Sequence, residues 1–412
     1  MTTPTVTNIL EANNELTFTL SGVESCFANA IRRTILGQID RIVLDGFQIE
    51  ENTSTQFHNE IIKHRLQCIP VHVAKATREE QEEFCQNHFV EVDIQNKSEE
   101  KIYVTTEMFR IINKTTGQAL SINERNAIFP PYKSFYYIDL MRLLPGKGDT
   151  IEGERIKLSC QFAIRRAAQN SCYTVVSKCA FTNTVDTQKA MDVWTELYAS
   201  MRKEGVAADV IDAKKRDFLA LDALRYYKAN MFDFAVRSIG IYDNSDLVFR
   251  ACQVLIETFE QWKLACEADE VTIYDSLTRA EHASSMENSL DIVLYDHPKK
   301  DEDVASGDGY SVGYIFDHLL FRNYLEQEKT LTYSGFTKYH PHSSEYVLRL
   351  SFRKSNDTQS LVKTYFSNSC TQAIETLQGI ARYFSTNRPT SVSKTVTKVS
   401  ATPKKETKSL IA

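Results

Sequence analysis

No two of the nine cysteines, at positions 26, 68, 85, 160, 172, 179, 252, 266 and 370, stand at CxxC or CxC spacing. Neighbouring residues therefore build no chelating knuckle, and reduced structural thiols are the expected reading. No run of 18 apolar residues occurs, which excludes an obvious membrane-spanning helix. The amino terminus, MTTPTVTNILEANNELTF, has no charged segment followed by an apolar core, so nothing there reads as a secretory signal. An excess of positive charge is missing too: 48 Lys and Arg face 54 Asp and Glu, a net charge of -6. Any nucleic-acid contact must then be local or come through partners.

Catalytic signatures are equally scarce. GxSxG nucleophile elbows and DxDxD carboxylate clusters are absent. LPGKGDT lacks the GxxxxGK[ST] spacing that cradles phosphate and reads as a turn. Asp301, Asp303 and Asp308 share one acidic loop, but counting twelve from Asp301 reaches Val312 where an EF-hand needs a bidentate Glu. A solvated charged loop accounts for it, and a metal-dependent hydrolase using Asp301 and Asp303 is the weak enzymatic rival. Histidines 58, 64 and 72, and the pair 340 and 342, have no Cys or carboxylate partners at zinc spacing.

What is present is ordinary globular material, 42% hydrophobic and 25% charged over 412 residues, enough for two or three domains. ELTFTLSG alternates as a half-buried strand, and Ser25 is placed to cap the helix that follows. In CFANAIRRTIL the residues Phe27, Ile31, Ile35 and Ile39 recur every four positions, with Ala28 and Leu36 widening the stripe and Arg32 and Arg33 to its side. Burying such a stripe is worth about 1.5 to 3 kcal/mol per large side chain, so it is core or interface.

Residues 41 to 186 read as short strands in a β-rich body, and 188 to 228 as helices broken near Gly205. MFDFAVRSIGIY returns to strand, and SDLVFRACQVLIETFEQWKLAC is a long amphipathic helix with Val248, Cys252, Leu255, Phe259 and Trp262 on one face. After a polar stretch at 267 to 287, a second unit runs strand, helix, two strands, long helix, repeating the first unit's architecture. The tail from 387 to 412 is basic and poor in large apolar residues, which predicts disorder. A stand-alone nucleic-acid-binding regulator acting through this tail is the alternative function.

The helix FANAIRR, Asn52 to Ser54 (NTS), Asn59 and Glu60 (NE), and His64 to Pro70 (HRLQCIP) resemble motifs of the RNA polymerase α-like subunits, specifically the archaeal D-type and eukaryotic third subunits. The family patterns are FANALRR, NTS, DE or NE, and HRLGLIP. DGYSVGYIF (308 to 316) and YSGFTKYHP (333 to 341) resemble DHTLGNLLR and FAGYKxPHP of the archaeal L-type and eukaryotic eleventh subunits, keeping Gly313, Gly335, His340 and Pro341. Both partners of the usual heterodimer thus lie in one chain, an arrangement similar to that in polymerases of large nucleocytoplasmic DNA viruses.

The resemblance implies an α+β fold in which two α-type dimerisation modules, each a sheet plus two long helices, pair within one chain. The expected boundaries are 1 to 40 with 225 to 266 for the first module, 41 to 224 for an inserted β-rich domain with a helical extension, 267 to 287 for a linker and 288 to 386 for the second module. It implies pairing through Phe27, Ile31 and Ile35 against Val312, Ile315, Phe316 and Leu319. Arg32 and Arg33 are expected to dock a large polymerase subunit through carboxylates, a solvated helix face being the plain alternative. Glu60, His64 and Arg65 are expected to dock there also, local structural bonding being the alternative for His64 and Arg65.

The implied partners are two large catalytic polymerase subunits and small subunits of zinc-ribbon type, with DNA and RNA met only indirectly and no membrane. The implied location is intracellular, host cytoplasm or nucleus, with packaging in the virion left open. The eukaryotic relatives' zinc loop and some archaeal relatives' iron-sulfur domain have no cysteine counterpart here, so no metal and no cofactor are expected. The chain is read as a non-catalytic assembly platform.

Overall fold

The computed structural model describes residues 3–73, 77–147, 152–278, 285–295, 308–354 and 358–385. The expectations placed on Asp301, Asp303 and the tail from 387 lie outside these residues.

The chain opens with strands β1 (Thr5–Ala12) and β2 (Glu15–Ser21) and helix α1 (Ser25–Gly37). Asn13 and Asn14, at φ 52° and 59°, make the left-handed turn between the strands that asparagine tolerates and a right-twisted hairpin requires. Alternation in β2 buries Leu16, Phe18 and Leu20 on one face. Ser25 is inside the helix; the cap position falls on Glu24, whose side chain makes no capping bond and instead accepts from Asn230 Nδ2 at 2.9 Å.

There follow β3 (Arg41–Asn52), α2 (Asn59–Cys68), α3 (Arg78–Asn87), β4 (His88–Gln95), β5 (Ile102–Thr105), β6 (Arg110–Asn113), α4 (Ile122–Ile128), β7 (Asp139–Leu143) and β8 (Arg155–Arg165). They form a four-stranded sheet in the order β3-β8-β4-β6 and a β5-β7 pair, around a core of their own. Capping boxes start two of the helices, Thr77 with Glu80 and Ser121 with Glu124.

Strand β9 (Val176–Val185), helices α5 (Thr187–Lys203) and α6 (Ala208–Ala220), strand β10 (Tyr227–Ser238) and helix α7 (Asn244–Glu267) come next. Here the structure departs from the expected boundary at 224. β9 pairs with β10 in the first sheet, whose order is β1-β2-β10-β9, so the β-rich insertion ends with β8. Helices α5 and α6 interrupt the β9–β10 hairpin and close on a small separate cluster of Trp194, Met201, Ile211 and Phe218.

The last elements are β11 (Thr272–Asp275), β12 (Ser289–Leu294), α8 (Gly309–Leu320), a π-helical turn (Phe321–Gln327), β13 (Leu331–Thr337), β14 (Tyr346–Phe352) and α9 (Thr358–Ser385). The sheet order is β11-β12-β14-β13. β11 therefore occupies the stretch expected to be a linker: Thr272 to Asp275 add an edge strand to β12, and Ser276 Oγ donates to the fully buried Asp291 at 2.7 Å. Asp291 also accepts from Arg349 Nε at 2.6 Å and Nη2 at 2.8 Å, which makes its burial tolerable.

One apolar cluster runs through the first sheet, α1, α7, α8, α9 and the last sheet without a break. Helices α7 and α9 lie against each other along their length. The C-terminal end of α9 reaches the first sheet, where Phe384 meets Phe18 edge-on at 5.1 Å. Among the described residues no helix is long and apolar enough to cross a membrane.

Candidate assembly interface

Helix α1 is the residue-level start of the site. Phe27, Ile31 and Ile35 are buried, and the helix touches both α7 and α8. Ile39, expected on the same stripe, falls beyond the end of the helix but is still buried. On α8, Val312, Ile315, Phe316 and Leu319 enter the same core. Phe316 is its aromatic hub: it stacks on Phe366 of α9 at 4.1 Å and meets Phe259 of α7 edge-on at 5.3 Å. Trp262 adds an edge contact to Phe366 at 6.2 Å.

Phe259 and Trp262 were legible as the apolar face of one helix, but their partner Phe366 was not, because nothing in a helix's own period says which other helix it meets.

Gly313 has a specific reason to be glycine. A Cβ built there would lie 2.0 Å from Cε2 of Phe336, so β13 packs directly against the backbone of α8. Tyr314, next to it, meets Phe336 edge-on at 5.0 Å.

The two arginines differ. Arg33 makes a two-pronged pair with Asp308, Nε to Oδ2 at 2.5 Å and Nη2 to Oδ1 at 2.8 Å. Asp308 is the N-cap of α8 and accepts from Ser311 N at 3.4 Å and from the Ser311 hydroxyl. The carboxylate side chain is 7% exposed and the arginine 41%. The Asp308 hydrogen bonds hold the guanidinium in its charged form and push its pKa upward, burial opposing. Arg33, expected to meet carboxylates of a large subunit, has a carboxylate partner within the chain, and the pair bridges α1 to the start of α8. Arg32 keeps its guanidinium on Asn29 Oδ1, at 3.1 Å from Nε and 2.9 Å from Nη2, half-buried at the surface.

A concavity of about 560 Å³ opens beside this bridge, lined among others by Ser25, Asn29, Arg33, Phe181, Tyr310 and Tyr314.

The second expected docking segment lies on α2. Glu60 pairs with Lys63 at 3.0 Å and His64 is exposed. Arg65 is not free: its Nε donates to Leu140 O at 2.6 Å and its Nη2 to Asp139 O at 2.7 Å, tying α2 to β7. Sequence inspection missed Arg41, which is fully buried where the chain passes into the insertion. Its Nη2 donates to Gln67 O at 3.3 Å and Cys172 O at 3.0 Å, joining the outgoing strand, α2 and the returning chain.

Five of the nine thiols, Cys160, Cys179, Cys252, Cys266 and Cys370, are buried packing groups, whereas Cys68 is exposed. Burial pushes the Cys26 and Cys252 pKa values up to about 12, which keeps them protonated and unreactive. Among the described residues no group of three or more His, Cys, Asp or Glu is placed to hold a metal ion.

Against known proteins, residues 17–259 match the family described as the RNA polymerase Rpb3/Rpb11 dimerisation domain. The chain is 46% identical over 61 residues to DNA-directed RNA polymerase subunit Rpo3 of Pyrococcus horikoshii, covering 15% of this chain and 23% of that protein. It is 39% identical over 67 residues to the DNA-directed RNA polymerases I and III subunit rpac1 of Dictyostelium discoideum, 16% of this chain and 19% of that protein. A longer match, 22% identical over 282 residues, covers 62% of this chain and 97% of Rpo3 from Methanothermobacter thermautotrophicus. The match to the Pyrococcus horikoshii protein and to a second Rpo3, from Pyrococcus furiosus, spans about a quarter of each relative's length, 23% and 24%. With the family match extending over more than half of its length, through the α1 stripe and most of α7, the chain belongs to the RNA polymerase Rpb3/Rpb11 dimerisation domain family.

Proposed function

We propose that this chain is a non-catalytic assembly component of a DNA-directed RNA polymerase built from several subunits, in which two dimerisation modules are joined and paired to form the platform that recruits the two large catalytic subunits. The observation that carries the reading is the single apolar core in which α1 and most of α7, inside the family match, close on α8 and α9, which lie beyond it. Joining the modules replaces a bimolecular encounter by an intramolecular one at high effective concentration, so the platform does not dissociate on dilution. The proposed docking face is the exposed side of α1 around Arg32, with Glu60 and His64 on α2 as a second contact and small zinc-ribbon-type subunits as neighbours. Arg33 belongs to the platform's own frame, since its carboxylate partner is Asp308. A viral polymerase, active in host cytoplasm or nucleus, is the setting the fusion suggests.

The test is affinity capture of the tagged chain from its native source, with mass spectrometry and promoter-independent RNA synthesis. Wild type is expected to recover two very large subunits and RNA synthesis. Arg32→Glu is expected to lose both while the isolated chain keeps its Tm; Arg33→Glu is expected to lower the Tm as well, because it opposes Asp308. Capture of the chain without polymerase subunits would sink the proposal.

A further inference from the structure

The chain is acidic, but residues 101–147 are not: they hold seven Lys or Arg against three Asp or Glu, a local charge of +4 against -6 for the whole. The same stretch holds seven of the chain's Phe and Tyr residues. The fold places cations over rings along it. Tyr103 of β5 lies opposite Arg142 of β7, whose guanidinium carbon is 5.3 Å from the ring centroid. The ladder continues through Thr106 and Ile138, Thr106 N donating to Ile138 O at 3.0 Å and Ile138 N to Thr106 Oγ1 at 3.3 Å.

It then enters a hairpin closed by Tyr132 N to Tyr136 O at 2.7 Å. At its tip Lys133 and Ser134 take φ of 49° and 72°, a left-handed turn made without glycine. Lys133 Nζ is 5.2 Å from the centroid of Tyr132, and Arg125 lies 5.9 Å from that of Tyr137. Tyr132 is 67% exposed, Phe135 63% and Tyr136 59%, so the hairpin presents its rings to solvent rather than to the core.

We infer that this hairpin and the adjoining β5-β7 edge bind single-stranded RNA, the bases stacking on Tyr132, Phe135 and Tyr136 and the phosphates meeting Lys133 and Arg142. Exposed aliphatic side chains, Ile138 and Leu144, also lie along the stretch, but at the hairpin itself cations accompany the rings. That pairing complements a polyanion whose repeating units are planar. The stretch also carries three opposing carboxylates, Glu107, Asp139 and Glu124, the last turned back onto Ser121 in its capping box. The tyrosine hydroxyls offer hydrogen bonds to 2′-hydroxyl groups. The choice of RNA rests on the proposed polymerase role, whose product is a single strand; the stacking chemistry does not.

The experiment is fluorescence anisotropy of a labelled single-stranded RNA of about 15 nucleotides, a length that spans one site of this class, titrated with the isolated full chain at several salt concentrations. Wild type is expected to bind the single strand more tightly than duplex DNA. Tyr132→Ala with Phe135→Ala and Tyr136→Ala is expected to weaken binding at least about tenfold with an unchanged salt slope, since stacking and not charge is removed. Lys133→Glu with Arg142→Glu is expected to weaken it and flatten the slope. Circular dichroism and Tm of both variants are expected to match wild type, because every substituted side chain is exposed.

No RNA binding, equal binding of duplex and single strand, or an unchanged affinity in the triple variant would overturn the inference. Equal binding of single-stranded DNA would overturn the commitment to RNA. Loss of polymerase capture in the triple variant, with no RNA binding by wild type, would make the hairpin a protein interface instead. Because the binding assay uses the isolated chain, its outcome is separate from that of the capture experiment.

Discussion

At the scale of single residues, the motif glycine and the motif arginine follow different logics. Gly313 is fixed by close packing: the Phe336 ring occupies the space a side chain would need. Gly313→Val is expected to force α8 off β13 and cost about 1 to 3 kcal/mol, as overpacked cores do, lowering the Tm by several degrees in a thermal melt. An unchanged Tm would show that Phe336 swings away freely. Arg33 was legible as a conspicuous charge beside an apolar stripe, but its partner lies 275 residues away along the chain. Sequence period places a residue on a face of its own helix and is silent about which distant carboxylate arrives there. Arg65 teaches the same lesson, since its donors go to backbone carbonyls of β7 that no side-chain pattern announces.

At the scale of elements, long amphipathic helices and alternating strands were readable, and the sheet memberships were not. β8 and β9 are neighbours in sequence but belong to different sheets, because a strand's partners are set by which backbone edge is open. The same ambiguity hid β11, four residues inside a stretch that is polar and weakly patterned as a whole and reads as linker until β12 offers an edge. Helices α5 and α6 form an appendage between β9 and β10, with their small core apart from the main one. Val185 and Tyr227 are paired at its base, across an irregularity from the continuous ladder that starts at Asn183 and Phe232, so the two ends of the appendage leave from neighbouring positions. Replacing residues 187–225 by a short Asn-Gly turn is therefore expected to leave the chain folded, with a Tm within a few degrees of wild type. A chain that aggregates or loses its cooperative melt on this deletion would show that the appendage supports the first sheet.

At the scale of the whole molecule, the first and last of the described elements share one core. Pro4 is so close to α9 that a Cβ on Gly379 would sit 2.7 Å from its ring, and Lys363 of α9 pairs with Asp269 just after α7. Separated at the join, each half would expose the aromatic contacts of Phe259, Phe316 and Phe366 to water. Residues 1–278 and 285–412 expressed apart are expected to be insoluble or to bind a hydrophobic dye, and expressed together to co-purify as a 1:1 pair. Two well-behaved monomers from separate expression would refute the shared core.

What the sequence alone determined is what depends on local period and composition: the amphipathic stripe of α1, the two long helices, the β-rich insertion and the motifs that carry the family resemblance. Hydrophobic spacing and capping chemistry are written in adjacent residues, and a short window contains them whole. Only the tertiary structure decided which strands share a sheet, that Arg33 closes on Asp308, that the rings of 132 to 136 stand in solvent beside cations, and that one core runs from the first strand to the last described helix. Each of these depends on pairings across tens to hundreds of residues, where many partners satisfy the same local pattern and the packing of the whole selects one.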